Sequence, residues 1–472
     1  MAKKEVTDKL LKMKVWPLVF NLTIPAVISQ LITFLYNVVD RMYVANIKDY
    51  GMDALAALGI VLPITIIIQA FANLIGLGGS PKASMKLGEN NKEEANKIFN
   101  ISFLLLLIIG IILSVVLFVF AKDIVILFGC PTSAISFATS YLKVYSLGTI
   151  FIMISQGLNP FITAQGYSFI AMISILIGAL INIVLDPIFI FLLDMKVVGA
   201  SLATIISQFF SFVWIMSFFI SKKSIFRLKK QDMKLNSKRI LSILSLGLSP
   251  FIMTITECAI QIVFNINLNI QTNKNKDYTA ALTIMLSALQ LISLPLNGLG
   301  YGMQPFVSYN YGNGNAKRLK EGIKDVTIIA FIYALIVYII SLTNPIIYAY
   351  MFNASESVTD IVVKYTSFFL MGSIMFFVQM TLQNINVALN QAKSALFLAV
   401  LRKVIILIPL CFILSNAIGY KGVYMSEGIA DLIAGIITSI VLFTTFPKVI
   451  NKREKEMVIL QKMEEKKYWF LN

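Results

Sequence analysis

The residues most able to do chemistry lie in Ile181–Phe191. An acid, Asp186, followed by Pro187, sits there deep in an apolar run. An ionisable group inside hydrocarbon costs roughly 2.5–3.5 kcal/mol on insertion scales, and chains keep such groups mainly on ion or substrate paths. Pro187 has no N–H, so a carbonyl one turn earlier loses its partner. Asn182 precedes Asp186 by one helical turn and shares its face. A carboxylate, an amide and a freed backbone oxygen suit a cation or a proton. The alternative is an Asp satisfied by neighbouring helices that only holds a kink.

Other acids fall in apolar runs. Asp40 lies near the outer end of the first apolar stretch, and Thr204 near the start of the sixth. At 1.5 Å per residue, Asp40, Asp186 and Thr204 reach similar depth, with Asn182 one turn deeper. Two carboxylates, an amide and a hydroxyl are hard oxygen ligands for Na⁺, or hold a carboxyl pair that shares one proton. Arg41 adjoins Asp40 and either snorkels outward or pairs with it. Glu257, in the seventh apolar stretch, and Asp431, which shares a face with Glu427 in the twelfth, are the alternative acids. The bland reading of Glu257 is a neutral acid hydrogen-bonded between helices.

These groups need elements to hold them, and composition says which. The chain has 472 residues, is 58% hydrophobic, carries net charge +16 and contains no histidine. Apolar runs of about 20 residues recur along its length, the signal of membrane-spanning helices. The absence of histidine removes His-based triads, His–metal sites and His proton relays. Cys130, Cys258 and Cys411 are far apart and form no CxxC, so neither zinc nor a disulfide framework is indicated. The basic residues sit in loops, where they set topology and meet anionic lipid, so nucleic acid is not an expected partner. The apolar run after Trp16 is too long for a signal peptide and reads as a retained first helix.

Twelve helices are expected. The first covers about 16–45, the second about 54–79, ending in Gly76-Leu77-Gly78-Gly79-Ser80, and the fifth and sixth about 167–193 and 198–221. The basic stretch 222–239 is the natural midpoint linker. Helices seven to twelve follow at about 240–270, 279–309, 323–350, 361–389, 396–418 and 422–446. Residues 1–221 would then form an N-terminal lobe, 240–447 a C-terminal lobe and 448–472 a charged cytoplasmic tail. Lysines and arginines crowd alternate loops: Lys3, Lys4 and Lys9 before helix one, Lys82 and Lys86 after helix two, Lys222–Arg239 and Lys317–Lys324. The other loops offer only Lys48, Lys122, Lys196, Lys274, Lys276 and Lys421. The positive-inside rule places both termini in the cytoplasm. Pro25 and Pro250, Phe128 and Phe352, Tyr141 and Tyr365, and Gly199 and Gly422 recur at an offset of about 224 residues. Six helices per copy is an even number, so this is a parallel, pseudo-two-fold repeat. The glycine runs follow no strand and precede no GK[ST], so they indicate close helix packing or unwinding rather than nucleotide loops.

Several strings together resemble the multidrug and toxic compound extrusion (MATE) family. They are Tyr36-Asn37-Val38-Val39-Asp40, the Gly76–Ser80 run with Leu87-Gly88-Glu89, Asn182–Pro187, Val198–Thr204, Gly302–Gly312 and Ile429-Ala430-Asp431. The resemblance implies a two-lobed, V-shaped all-α membrane protein of the bacterial small multidrug exporter branch. It implies a multi-pass protein of the inner (cytoplasmic) membrane, acting as a monomer among membrane lipid. Its activity would be export of small cationic, amphiphilic compounds by antiport with H⁺ or Na⁺, without a cofactor. The N-lobe ion site maps to Asp40, Asn182, Asp186 and Thr204, while other members use a helix-seven glutamate that Glu257 approximates. Arg41 departs from the small polar residue usual beside that Asp, and Pro81-Lys82 departs after the glycine run, in what reads as a loop. A lipid or lipid-linked-sugar flippase of similar architecture is the competing carrier. It would need several cationic groups in its cavity, whereas membrane acids outnumber mid-helix bases here, and Arg402 and Lys403 read as nearer the cytoplasmic end. A membrane-embedded enzyme would have only Asp/Glu pairs to work with.

Overall fold

A computed structural model describes residues 10–47, 51–273 and 275–471. Lys3, Lys4, Lys9, Lys48 and Lys274 lie outside the described residues. Among those described there is no strand. Eleven helices are long and apolar enough to cross a membrane, and a helix pair bent by 50°, Glu356–Phe369 with Ser373–Ala388, makes up to 12. The chain is an all-α membrane protein. Counting the bent pair as the tenth, the spans that position the acids are the first (Val15–Ala45), fifth (Ser168–Leu192), sixth (Lys196–Ile220), seventh (Ser237–Gln271), eleventh (Ala392–Ile418) and twelfth (Tyr420–Leu460).

The expected repeat recurs in local structure. Asn91 opens the third span (Lys92–Val119) by accepting from the Glu94 N–H, and Asn315 opens the ninth (Ala316–Thr343) by accepting from that of Arg318. Each is an N-cap satisfying an orphan donor of the first turn. A short helix follows the third span (Ala121–Leu127) and another the ninth (Ile346–Met351), ending before Phe128 and Phe352.

Three elements differ from the expectation. The second helix does not end at the glycine run: it continues through Pro81 to Gly88. The glycines serve close packing, because a Cβ on Gly76 would stand 2.6 Å from the Gly157 carbonyl oxygen of the fourth span, Ile135–Thr163. Pro81 and Lys82 are therefore helical, not in a loop. Gly298 and Gly302, one turn apart, do the same against the first span, with Cβ positions 2.6 Å from Val27 and Thr23 Cα. The tail beyond Lys448 continues the last helix to Leu471, and the Arg453 guanidinium donates to the carbonyls of Tyr311 and Gly312. Pro187 does not break the fifth span. The chain widens there into a π turn, Ile188–Leu192, one of the ways a membrane helix re-satisfies groups that a proline frees.

The chain divides into two compact units, Met1–Lys12 with Ile28–Ile255, and Met13–Val27 with Thr256–Asn472. In the first, the fourth span packs against the second, third and sixth. In the second, the eighth span packs on the ninth and tenth, and the twelfth on the tenth and eleventh.

The basic stretch 222–239 is clasped to the first unit rather than hanging free. Asn96 Oδ1 accepts from the Arg227 N–H at 2.7 Å, and Asn100 Oδ1 from that of Lys229 at 2.8 Å. Arg239 donates twice to the Glu94 carboxylate, at 2.6 and 2.8 Å. Phe226 is fully buried and stacks on Phe99 with ring centroids 5.3 Å apart. Phe226→Ala should therefore cost about 3–5 kcal/mol, seen as a lower midpoint of thermal unfolding in detergent. An unchanged midpoint would show that this stretch is not part of the folded unit.

Candidate functional site

In the first unit the fifth span presents Asn182 and Asp186, 1% and 0% exposed. Asn182 Nδ2 donates to Asp186 Oδ1 at 3.3 Å, as their one-turn spacing requires. Asp40, from the first span, brings its carboxyl within hydrogen-bonding reach of that of Asp186. Thr204, from the sixth span, is buried and donates to the Ala200 carbonyl at 3.0 Å. Its hydroxyl lies close to that of Tyr141, beside the carboxyl pair. The structure thus brings together the three residues expected at similar depth and Asn182, expected one turn deeper.

Three oxygens of this group, Asp40 Oδ1, Asn182 Oδ1 and Asp186 Oδ2, are buried with no hydrogen-bond partner. Buried polar atoms are ordinarily paired, and each exception needs an explanation. Arg41 does not supply one. It is exposed, and its charge acts on Asp40 without a salt bridge or a hydrogen bond to these oxygens. A proton between the carboxyls, or a small hard cation among the three oxygens, would satisfy them. Sequence reasoning did not assign the aromatic wall of this group. Tyr36, Tyr141 and Tyr145 all lie close enough to interact with Asp40. Tyr141 and Tyr145 stack at 5.8 Å. The available signal was spacing, since Tyr36 is one turn before Asp40, and Tyr141 one turn before Tyr145.

The second unit holds a cluster of a different kind. Arg402 Nε donates to Asp431 Oδ1 at 2.5 Å, and its terminal nitrogen to Glu427 Oε1 at 3.2 Å. Its guanidinium lies over the Phe376 ring, 5.0 Å from the centroid. Lys403 forms an ion pair with Glu257. Glu257 is thus paired, not a neutral acid hydrogen-bonded between helices. Arg402 and Lys403 are buried well inside the eleventh span, in a π-helical segment, Leu401–Leu407. The sequence reading treated the bases and acids separately, because nothing in the spacing says that the eleventh span faces the seventh and twelfth.

Comparison with known proteins places the whole chain. The MatE family model matches it twice, over residues 25–188 and 251–413. The multidrug export protein MepA of Staphylococcus haemolyticus (strain JCSC1435) is 27% identical over 430 residues, covering 90% of this chain and 92% of its own length. MepA of Staphylococcus aureus (strain MRSA252) is 26% identical over 437 residues, covering 92% and 94%. Among solved structures, an outward-facing multidrug resistance MATE family transporter of the MOP superfamily aligns with a TM-score of 0.86 at 22% identity, covering 93% of this chain and 98% of that one. A MOP superfamily transporter from Pyrococcus furiosus Vc1 (DSM3638), described by the reverse polarity of its binding pocket, aligns equally well, with a TM-score of 0.86 at 22% identity and the same coverage. At that identity the structures establish the fold.

Arg402 satisfies two buried acids at once, so removing it should leave both unpaired. Arg402→Met is expected to destabilise the protein by about 3–5 kcal/mol, whereas adding Glu427→Gln and Asp431→Asn to it should recover most of the loss. Thermal unfolding in detergent reads both. A harmless Arg402→Met would show that the acids do not depend on it.

Proposed function

The chain belongs to the MatE family, a family of transporters, and we propose that it is a secondary antiporter that exports small organic cations in exchange for H⁺ or Na⁺. Drug export is named for its MepA relatives. The observation that carries the coupling step is the pair Asp40–Asp186, two carboxyls in mutual reach with three unpartnered buried oxygens around them. Such a pair needs a proton or a cation between its charges, and must change energy when it gains or loses one. A ligand can shift a conformational equilibrium only by the difference in its affinity for the two states. Occupancy of this site is proposed to set that difference.

Cation entry releases about 2.3 kcal/mol per charge per 100 mV, before any concentration term. No Walker motif supplies an ATP site. The coupling ion is proposed to serve without any cofactor, and the protein to act as a monomeric carrier rather than an enzyme. Its proposed place is the inner membrane, with both termini cytoplasmic, surrounded by lipid and without nucleic acid. The flippase reading is weaker, because the two buried bases of the eleventh span are engaged by acids and leave no free positive charge for a phosphate.

Asp186→Asn keeps the shape of the side chain and removes its charge. A merely structural Asp would tolerate it at about 1 kcal/mol. The proposal expects a variant that folds, inserts and binds an organic cation, while gradient-driven export in vesicles falls to background. Wild-type export with unchanged gradient dependence would remove the site from the coupling step.

A further inference from the structure

The third and ninth spans begin at corresponding places in the repeat, fixed in register by their caps Asn91 and Asn315, yet their first turns differ in charge. Residues 92–101 carry two bases and two acids, and residues 316–325 four bases and two acids. In the first unit this end is paired and covered. Glu93 bonds to Lys97 and Glu94 to Arg239, while Asn96 and Asn100 accept from the Arg227 and Lys229 N–H groups of the midpoint linker. At the positions of Glu93, Asn96 and Asn100 the ninth span carries Lys317, Lys320 and Lys324. We propose that these three lysines bind the headgroup of an anionic phospholipid of the surrounding leaflet, at a site that the first unit lacks. Which leaflet supplies the lipid rests on the proposed cytoplasmic placement of this end; the site itself does not.

The counterpart of the linker does not cover these lysines. The tail that follows the twelfth span reaches the end of the eighth instead, where Arg453 donates to the Tyr311 and Gly312 carbonyls and Met457 lies over Gly314. Lys317, Lys320 and Lys324 are all exposed, and none forms a salt bridge or a side-chain hydrogen bond among the described residues. Two acids share their helix: Glu321 is exposed, and Asp325 feels the charge of Lys324. The end as a whole remains basic.

Depth and face fix the occupant. The uncharged run 326–343 rises about 27 Å, close to the thickness of the hydrocarbon core. Lys324 therefore sits just outside that core and Lys317 about 10 Å further out, which is the headgroup layer. The spacing i, i+3, i+7 puts the three ammonium groups on one face, and Ile328 and Phe331, both exposed, continue that face into the core. One lipid molecule meets both parts, its phosphate at the lysines and its chains along the apolar surface. A soluble acidic partner would meet only the first. Lysine stems lie along apolar surface and carry their charge out to the phosphates, and each base near an anionic surface adds to the attraction.

Native mass spectrometry of the purified full-length protein tests this, with phosphatidylglycerol as the probe and phosphatidylethanolamine of the same chains as its zwitterionic control. Wild type should hold one phosphatidylglycerol at least about tenfold more tightly than phosphatidylethanolamine. Lys317→Gln, Lys320→Gln and Lys324→Gln together should abolish that preference, and Lys317→Arg, Lys320→Arg and Lys324→Arg together should keep it. Lys222→Gln, Lys223→Gln and Lys230→Gln remove the same charge from exposed positions of the first unit and should keep it too. The inference is overturned if the wild type shows no preference, if the ninth-span glutamine variant retains it, or if the arginine variant or the first-unit variant loses it. It is also overturned if a soluble polyglutamate peptide, at equal concentration of anionic groups, displaces the lipid, since an acidic protein would then be the occupant. The measurement reads no sidedness, so each of these failures leaves the cytoplasmic placement standing, to be tested separately by labelling from outside intact cells.

Discussion

A carboxylate within a membrane-spanning helix must find a proton, a cation or a base. This chain meets that constraint in two ways. In the second unit the bases are supplied by the protein, with Arg402 between Glu427 and Asp431, and Lys403 on Glu257. In the first unit the acids face each other, and Arg41, next to Asp40 in sequence, is exposed and acts on it electrostatically without forming a salt bridge. A pair left without an internal base depends on what arrives from solution, which makes it suited to coupling.

The contrast follows from a repeat in which corresponding positions differ. Thr204 follows Gly199, and Glu427 follows Gly422, by the same five residues. The sixth and twelfth spans therefore carry a hydroxyl and an acid at matching places. The hydroxyl joins Tyr141 beside the carboxyl pair, and the acid joins Arg402. Small residues make the close approaches that hold such groups in register. Gly76 lets the second span touch the fourth, while Gly298 and Gly302 let the eighth touch residues of the first.

The helices and the grouping of Asp40, Asn182, Asp186 and Thr204 were legible in the sequence, because apolar length sets span and 1.5 Å per residue sets depth. Asp186 with Asn182 needed only helical spacing. The second cluster was not legible in the same way. Arg402 and Lys403 are adjacent in sequence, and an α-helix would turn them about 100° apart. The local π geometry and the packing of the eleventh span against the twelfth decide what they meet. The glycine run after Leu74 misled for a related reason. Propensity marks glycine as a stop, while burial between helices rewards its missing side chain.

The central claim is that an ion gradient, acting through an acid pair without an internal base, drives export. Its most direct test is transport of a labelled organic cation by the wild-type protein in proteoliposomes, with Na⁺ and pH gradients imposed separately at zero membrane potential. The account predicts that at least one of the two gradients alone drives the cation against its own gradient, and that collapsing it stops transport. Transport indifferent to both gradients would contradict it.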